Sequence, residues 1–428
     1  MRILHTSDWH LGRDLYGRSR QTEQERFVDE LCSLVKDEDI HLVLIAGDVY
    51  DTVNPSAFAE ELFYDCLDRL ADGGRRAVVA IAGNHDSPER LCAASPLAIR
   101  HGITLFGLPK EVLSPNVLIR QDRVARVRAG QGWAELHIPG CPHPAMLALL
   151  PFPSEARLNE ALTETLDDED WMREEYSARV KQLFARLSGQ FRADTVNLGI
   201  SHLFVRGGLE SESERPLQRV GGTLAVDPEA LPEGAHYVAL GHLHRAQMVK
   251  KAPVPTRYSG SPLAYSFSEA GQAKSVVIIE AEPEAPARVR EVILNAGHPL
   301  VKWQATGGLA QLQRWLDEGR DPDAWIELEI NLTQPLTMAE VAKIRQARER
   351  IINIVPVFPV LEPIAGEGRA HLPIEELFRR FYRRQTNGGE PEPGLVNLFL
   401  KLIADVEHAG SEDPVAVASD EAEEVGGR

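Results

Sequence analysis

Five short stretches of this chain end an apolar run on residues that bind metals: Asp8-Trp9-His10, Gly47-Asp48, Gly83-Asn84-His85-Asp86, Ser201-His202 and Gly241-His242-Leu243-His244. Together they supply enough carboxylate, amide and imidazole for two metal ions, which makes hydrolysis the leading chemistry. The donors mix nitrogen and oxygen without any Cys, a set that suits manganese or iron and leaves zinc open. Trp9, between two candidate ligands, reads as packing.

The elements that must position these residues are strands. In Ile3-Leu4-His5-Thr6-Ser7-Asp8-Trp9-His10 the alternation of strand side chains puts Asp8 and His10 on one side, where they can share an ion. The same spacing brings His242 and His244 together after Tyr237-Val238-Ala239-Leu240. Residues 42–46, 77–82 and 196–200 read as further buried strands, so all five motifs fall at strand carboxyl ends, where open α/β sheets hold their ligands. Gly47, Gly83 and Gly241 precede the donors, and a missing Cβ permits a sharp turn and close backbone approach.

Between the strands, residues 19–37 form an amphipathic pattern with Phe27, Leu31, Leu34 and Val35 on one face, and helices are expected near 56–71 and 88–100. That alternation predicts a βαβ sheet. Residues 154–190 read as a charged helical insertion, strands resume near 275–294, and Gly297-His298-Pro299 breaks the pattern. A small α+β unit follows: strand 300–304, helix 308–317, strand 325–330, helix 337–350 and strand 351–361. Two amphipathic helices, 371–386 and 394–408, carry Ile374, Leu377, Phe378 and Phe381, then Leu395, Leu398, Phe399 and Leu402, at helical spacing. So short a stretch cannot build its own core, so these faces need another surface. The acidic end, with Glu412, Asp413, Asp420, Glu421, Glu423 and Glu424 against Arg428, is expected to be disordered.

At 428 residues and 43% hydrophobic content the chain should hold two or three domains. No apolar run approaches the roughly 20 residues of a membrane span, and Arg2-Ile3-Leu4-His5-Thr6 is too polar for a signal peptide, so the cytoplasm is the expected compartment. Cys32, Cys66, Cys92 and Cys141 are scattered without a CxxC and read as reduced thiols. A net charge of -18 argues against a free-standing DNA binder, because affinity for duplex comes from Lys and Arg on phosphates. Arg13, Arg18, Arg20, Arg90, Arg206 and Arg245 are the cations near the motifs. There is no GxxxxGK[ST] phosphate loop, so any ATP dependence belongs to a partner.

The order DxH, GD, GNHD, a lone His and GHLH resembles the calcineurin-like metallophosphoesterases. The longer strings Leu4-His5-Thr6-Ser7-Asp8-Trp9-His10-Leu11-Gly12, Ala46-Gly47-Asp48-Val49-Tyr50-Asp51-Thr52, Ala82-Gly83-Asn84-His85-Asp86-Ser87 and Ala239-Leu240-Gly241-His242-Leu243-His244-Arg245-Ala246-Gln247 are similar to the bacterial double-strand-break repair nucleases of that family, strongly over roughly 1–280 and less beyond. The resemblance implies an α/β fold: a β-sandwich flanked by helices over 1–297, a small α+β capping domain over 298–364, a helical partner-binding segment over 371–408 and an acidic disordered tail over 409–428. It implies one metal on Asp8, His10, Asp48 and His244, a second on Asp48, Asn84, His202 and His242, Asp48 as the bridge, and manganese as the ion. His85 would face the scissile phosphate, with Asp86 orienting its imidazole. Asp51 stands where some family members have a second His and bacterial ones commonly have Asp. The implied partners are DNA ends and hairpins, and a coiled-coil ATPase whose base would receive the two carboxyl-terminal helices. A second copy would pair through Phe58, Leu62, Phe63, Leu91 and Leu97, giving a homodimer within a heterotetramer. Two other readings stay open. A small-substrate phosphoesterase would need neither the capping unit nor the terminal helices, and a non-catalytic scaffold would be expected to have lost ligands.

Overall fold

The computed structural model describes residues 1–116, 122–163, 176–214, 218–219, 222–358, 373–386 and 389–409. By compactness the chain forms two units, one of Met1–Lys302, Asp321–Glu327 and Arg350–Asn353, the other of Trp303–Arg320, Leu328–Glu349 and Ile354–Arg428.

In the first unit, aliphatic runs that favour a pleated, buried surface alternate with amphipathic helices. They are β1 (Arg2–Thr6), α1 (Gln21–Asp37), β2 (Leu42–Ala46), α2 (Ala57–Ala71), β3 (Ala77–Ile81), the short α3 (Pro88–Cys92) and α4 (Ser95–Ala98), and β4 (Ile103–Phe106). Next come β5 (Ala125–Gly130), β6 (Trp133–His137), β7 (Ala145–Leu150), α5 (Glu155–Thr163), α6 (Tyr176–Ser188) and β8 (Val196–His202). Four two-residue strands follow, β9 (Phe204–Val205), β10 (Gln218–Arg219), β11 (Gly222–Thr223) and β12 (Ala225–Val226), then β13 (Tyr237–Gly241), β14 (Gln247–Met248), β15 (Thr256–Tyr258), β16 (Ser275–Glu280) and β17 (Arg288–Ile293).

Two large sheets result, ordered β17-β16-β1-β2-β3-β4 and β14-β15-β13-β8-β7-β6-β5. Strands β1 to β4 run parallel, with Ile3 opposite Leu42, Leu44 opposite Val79 and Ile81 opposite Phe106, and β8 runs parallel to both β7 and β13. Alternate side chains therefore sort to opposite faces. Leu4, Val43, Ile45, Val78 and Ala80 pack on Phe27, Leu31 and Phe63 of the helices. Ile3, Leu42, Leu44 and Val79 meet Leu147, Leu149, Leu198, Ile200 and Tyr237 between the sheets. The far face of the second sheet, including Leu150, Val238 and Leu240, packs on Val180, Leu183 and Phe184 of α6. The architecture is a β-sandwich with helices on both outer faces, held by side chains that each contribute about 1.5–3 kcal/mol on full burial.

The helix expected near 88–100 is broken into α3, α4 and a turn of 3-10 helix at Ile99–His101. Pro96 is the cause, since its ring has no N–H and clashes with the carbonyl four residues back, at Cys92, where α3 stops. No helix among the described residues is long and apolar enough to cross a membrane.

Strands β18 (Leu300–Ala305), β19 (Trp325–Asn331) and β20 (Ile351–Val357) form a sheet in that order, accompanied by α7 (Gly308–Asp317) and α8 (Met338–Ala347). Helix α8 ends before the expected 350 because Arg348 is already extended, with φ -148. Two last helices, α9 (Ile374–Gln385) and α10 (Pro393–Ala409), meet through Phe378 and Phe399, stacked with ring centroids 4.0 Å apart. Residues 359–372 and 410–428, which include the rest of the expected strand and the acidic tail, lie outside the described residues.

Candidate metal centre

Strands β1, β2 and β3 end side by side because they are parallel neighbours, and β8 and β13 do the same in the second sheet. The loops leaving β1 and β2 are laced together: the Asp8 amide donates to the Gly47 carbonyl at 3.0 Å and the His10 amide to the Asp48 carbonyl at 3.0 Å. Strand β1 stops at Thr6, so Asp8 and His10 are not brought together by strand alternation as the sequence suggested. Both have left-handed backbone, φ 55 and 46, as does Asp48 at φ 50, and His242 lies at φ 110. Two glycines make the approach possible. A Cβ on Gly83 would lie 2.1 Å from Asp48 Oδ1, and one on Gly241 would lie 1.9 Å from the Ala46 carbonyl oxygen.

The donors converge in a buried volume. Oxygen or nitrogen atoms of Asp8, His10 and His244 lie within 4.8 Å of one another, as do those of Asp8, Asp48 and His202, and those of His10, Asp51 and His85. The Nε2 atoms of His10 and His244 face each other at 3.0 Å. Asp48 Oδ2 is 3.7 Å from His10 Nε2 and 3.4 Å from His202 Nε2, so one carboxylate oxygen reaches both sides of the cluster. Asn84 Oδ1 lies 2.9 Å from His202 Nε2 and 3.2 Å from His242 Nδ1. His242 also donates its amide to Asp8 Oδ1 at 2.9 Å.

Partners outside the cluster fix which imidazole nitrogen points inward. His202 Nδ1 donates to the Ala46 carbonyl at 2.9 Å, which turns its Nε2 into the cluster. His244 Nδ1 donates to Ser213 Oγ at 2.6 Å, and that hydroxyl donates to Glu269 Oε1 at 2.6 Å. Glu214 accepts the His244 amide at 2.7 Å, and Lys274 pairs with Glu269 and donates to the His244 carbonyl at 3.0 Å. Ser213, Glu214, Glu269 and Lys274 have no ligand motif around them in the sequence. The polar run Ser211-Glu212-Ser213-Glu214 is the one local signal.

Burial lowers His10, His242 and His244, the last to about 3, holding them as the neutral imidazoles that bind metal. Burial, with the charge of Asp48 beside it, pushes Asp8 up to about 8. Burial opposes charge on His202 as well, but Asp48 and then Asp8 raise it to about 9, and His202 in turn holds Asp48 well below the carboxylate range despite its burial. Two carboxylates thus crowd one desolvated space, a repulsion that a divalent cation removes. The residues fit metal on geometry too. Two donors at about 2.1 Å from one ion and at right angles lie about 3 Å apart, the spacing of the His10 and His244 nitrogens.

His85 stands at the edge of this cluster. It is half-exposed, its amide donates to Asp48 Oδ1 at 2.8 Å, and its Nδ1 donates to the Asp51 carbonyl at 2.7 Å. The expectation that Asp86 orients this ring is corrected by these contacts. The Asp86 carboxylate is buried and accepts the amides of Gly83 at 2.8 Å, Tyr50 at 2.9 Å and Val49 at 3.2 Å, so it joins the loops after β2 and β3. Asp51, whose role the sequence left open, carries the orienting carbonyl and places Oδ1 3.5 Å from His10 Nδ1.

The surface candidates divide. Phe63 and Leu91 are wholly buried in the helix-side core, so they cannot face a second copy. Phe58 and Leu62 are half-buried, and Leu97 is exposed beside Tyr64 and Ala94 in a groove of about 450 Å³. On α9 and α10, Ile374, Phe381, Leu395, Leu398 and Leu402 are exposed, while Leu377, Phe378 and Phe399 are half-buried.

Stacked sheets that gather histidine and carboxylate at their carboxyl edges define a metal-dependent phosphoesterase. Residues 1–246 match the calcineurin-like phosphoesterase family, and residues 297–386 match a domain described as the type 5 capsule protein repressor C-terminal domain. The SbcD subunit of the nuclease SbcCD from Bacillus subtilis is 47% identical over 410 residues, 95% of this chain and 99% of that protein. The proteins of the same name from Escherichia coli K12 (30% identical, 94% of this chain and 98% of theirs) and Rhodobacter capsulatus (33%, 76% and 77%) are also similar. The chain belongs to the calcineurin-like phosphoesterases, in the branch of the SbcD nuclease subunits.

Proposed function

We propose that this chain is the nuclease subunit of an SbcCD-type complex, hydrolysing DNA phosphodiesters at double-strand ends and hairpins, by exonuclease and endonuclease cleavage, in replication, recombination and repair. The observation that carries this reading is the cluster around Asp48, contained in no single motif but assembled from five loops of a chain that matches SbcD proteins along almost its whole length.

In this reading Asp8, His10, Asp48 and His244 hold one ion, and Asp48, Asn84, His202 and His242 the other, with manganese as the metal. Bound there, the ions supply Lewis acidity to the phosphoryl group and an activated water at neutral pH. The chain does the rest. Asp48 joins the two halves through its Oδ2, and its Oδ1 is held by the His85 amide. With Nδ1–H committed to the Asp51 carbonyl, His85 keeps Nε2 for the substrate, where the imidazolium form would donate to a phosphoryl oxygen or pass its Nε2 proton to the leaving oxygen. Ala46, Ser213 and Glu269 hold the imidazoles in the ligating tautomer.

The exposed apolar faces of α9 and α10 support docking on the coiled-coil base of an SbcC-type ATPase, by a helix-in-groove contact. The groove beside Leu97 supports a homodimer within a heterotetramer. The compartment is the cytoplasm. The deciding experiment compares cleavage of hairpin DNA with a small chromogenic phosphodiester, each with manganese and with chelator. Manganese-dependent hairpin cleavage is expected, and turnover of the small ester alone would replace this reading with a small-substrate phosphodiesterase.

A further inference from the structure

Several arginines near the donor motifs are engaged within the protein. Arg20 grips Glu23, Arg13 donates to the Ser213 carbonyl at 3.0 Å, and Arg90 and Arg206 pair with Glu60 and Asp227, each at 3.1 Å. The segment after His244 differs. Arg245, Lys250 and Lys251 are exposed, and none pairs with an acidic side chain among the described residues.

Lys250 and Lys251 line a groove of about 650 Å³. Its walls are continuations of the ligand loops: β9 begins at Phe204, just past His202, and β14 begins at Gln247, just past His244. The facing wall is the turn through Gly207 and Gly208, where Gly207 has φ +89 and open space on the side a Cβ would take. Gln247 locks the two walls together, its Oε1 accepting the Leu209 amide at 2.9 Å and its Nε2 donating to the Leu209 carbonyl at 2.9 Å. On the rim, Leu209 is 53% exposed and Met248 64% exposed, two large apolar side chains facing water next to the two lysines. Asp227 and Glu229 also line the groove, and Arg206 already neutralises Asp227.

Cations beside exposed apolar surface, on segments that directly follow His202 and His244 in the chain, match the chemistry of a single nucleic-acid strand, whose phosphates need charge and whose bases need apolar faces. A chain with net charge -18 needs such a local patch to hold a polyanion at all. We propose that this groove takes the single DNA strand on one side of the scissile phosphate, with Lys250 and Lys251 on its phosphates and Leu209 and Met248 against its bases. The proposal rests on the nuclease reading above.

The test uses the full-length chain with manganese, a single-stranded oligonucleotide and bis(p-nitrophenyl) phosphate. In K250Q/K251Q the oligonucleotide KM should rise about tenfold, and the slope of log KM against log salt should fall by about 1.4, two phosphates at about 0.7 each. L209S/M248S should raise the oligonucleotide KM without changing that slope. Neither variant should alter turnover of the small ester, which is too short to reach the groove. An unchanged KM and slope for the lysine variant, or equal losses on both substrates, would overturn the groove's role. Failure of the unaltered protein to cut any oligonucleotide while it cleaves the small ester would instead remove the nuclease reading, and the occupant with it.

Discussion

Removing the Ser213 hydroxyl should weaken one metal site and spare the other. Ser213 is 5% exposed and sits 2.6 Å from both His244 Nδ1 and Glu269 Oε1. Ser213→Ala leaves the His244 Nδ1–H buried without its acceptor, which costs about 1–3 kcal/mol. Glu269 loses less, because it still accepts the Tyr265 and Ser266 amides at 3.1 Å each and keeps Lys274. The penalty therefore falls on the orientation and basicity of His244, and outer partners of metal-bound histidines are worth roughly 10–100-fold in affinity. At 1.4 kcal/mol per tenfold the two figures agree. Calorimetric titration of manganese into metal-stripped protein should show two binding events, one weakened by that factor and one unchanged, with S213T restoring the parent isotherm. Parent-like binding by S213A would refute the reasoning, as would equal weakening of both events together with a lowered melting temperature.

His85→Ala should keep both metals and lower kcat by about 10²–10⁴, the usual contribution of a positioned acid or base. Metal analysis beside hydrolysis assays checks this, and loss of one equivalent of metal would make His85 a ligand instead. Glu23 supplies a pH test away from the centre. Burial alone would raise its carboxyl, but the hydrogen bonds and charge of Arg20, with the His298 amide and Trp325 indole, hold it below its ordinary value. Because the folded value lies below the unfolded one, the stabilisation is complete above the unfolded carboxylate range and is lost as pH falls through the folded value. Glu23→Gln, which strands the buried Arg20, should cost about 3–5 kcal/mol at pH 7 in urea unfolding, and the gap should narrow toward pH 3. A gap that stays constant with pH would rule this out.

The sandwich was legible because its signals are local. Aliphatic runs such as Leu42-Val43-Leu44-Ile45-Ala46, each followed by a glycine and a donor, report a strand buried on both faces and the loop after it. What stayed hidden depends on contacts between distant segments. Glu269 lies in a turn of 3-10 helix and Lys274 just before β16, and nothing in either neighbourhood announces that they meet behind His244. Asp86 misled for the opposite reason: adjacency in sequence suggested that it serves His85, whereas its side chain turns back onto the Val49 and Tyr50 amides. Phe63 and Leu91 carry the right amphipathic spacing for an outward face, but both are buried in the helix-side core, the Phe63 ring 6.1 Å from Trp9 and 5.5 Å from Tyr50.

The pairing of Asp8 with His10 came out of the sequence for a reason that the structure replaces. Period-two alternation would deliver both side chains to one face of a strand, yet β1 has ended at Thr6 and both residues are left-handed. A left-handed residue other than glycine costs about 1–3 kcal/mol, and Asp8, His10, Asp48 and His242 all carry that cost, so the cluster as a whole is strained by several kcal/mol. Such strain persists only where the surroundings over-determine it. Here the Gly47 and Asp48 carbonyls fix the Asp8 and His10 amides, and the missing side chains at Gly83 and Gly241 let the loops pack this closely. The strain is thus located in the donors themselves and is held by the sheets beneath them. It follows that a Cβ at Gly83, 2.1 Å from Asp48 Oδ1, would disturb the carboxylate whose other oxygen lies near both His10 and His202.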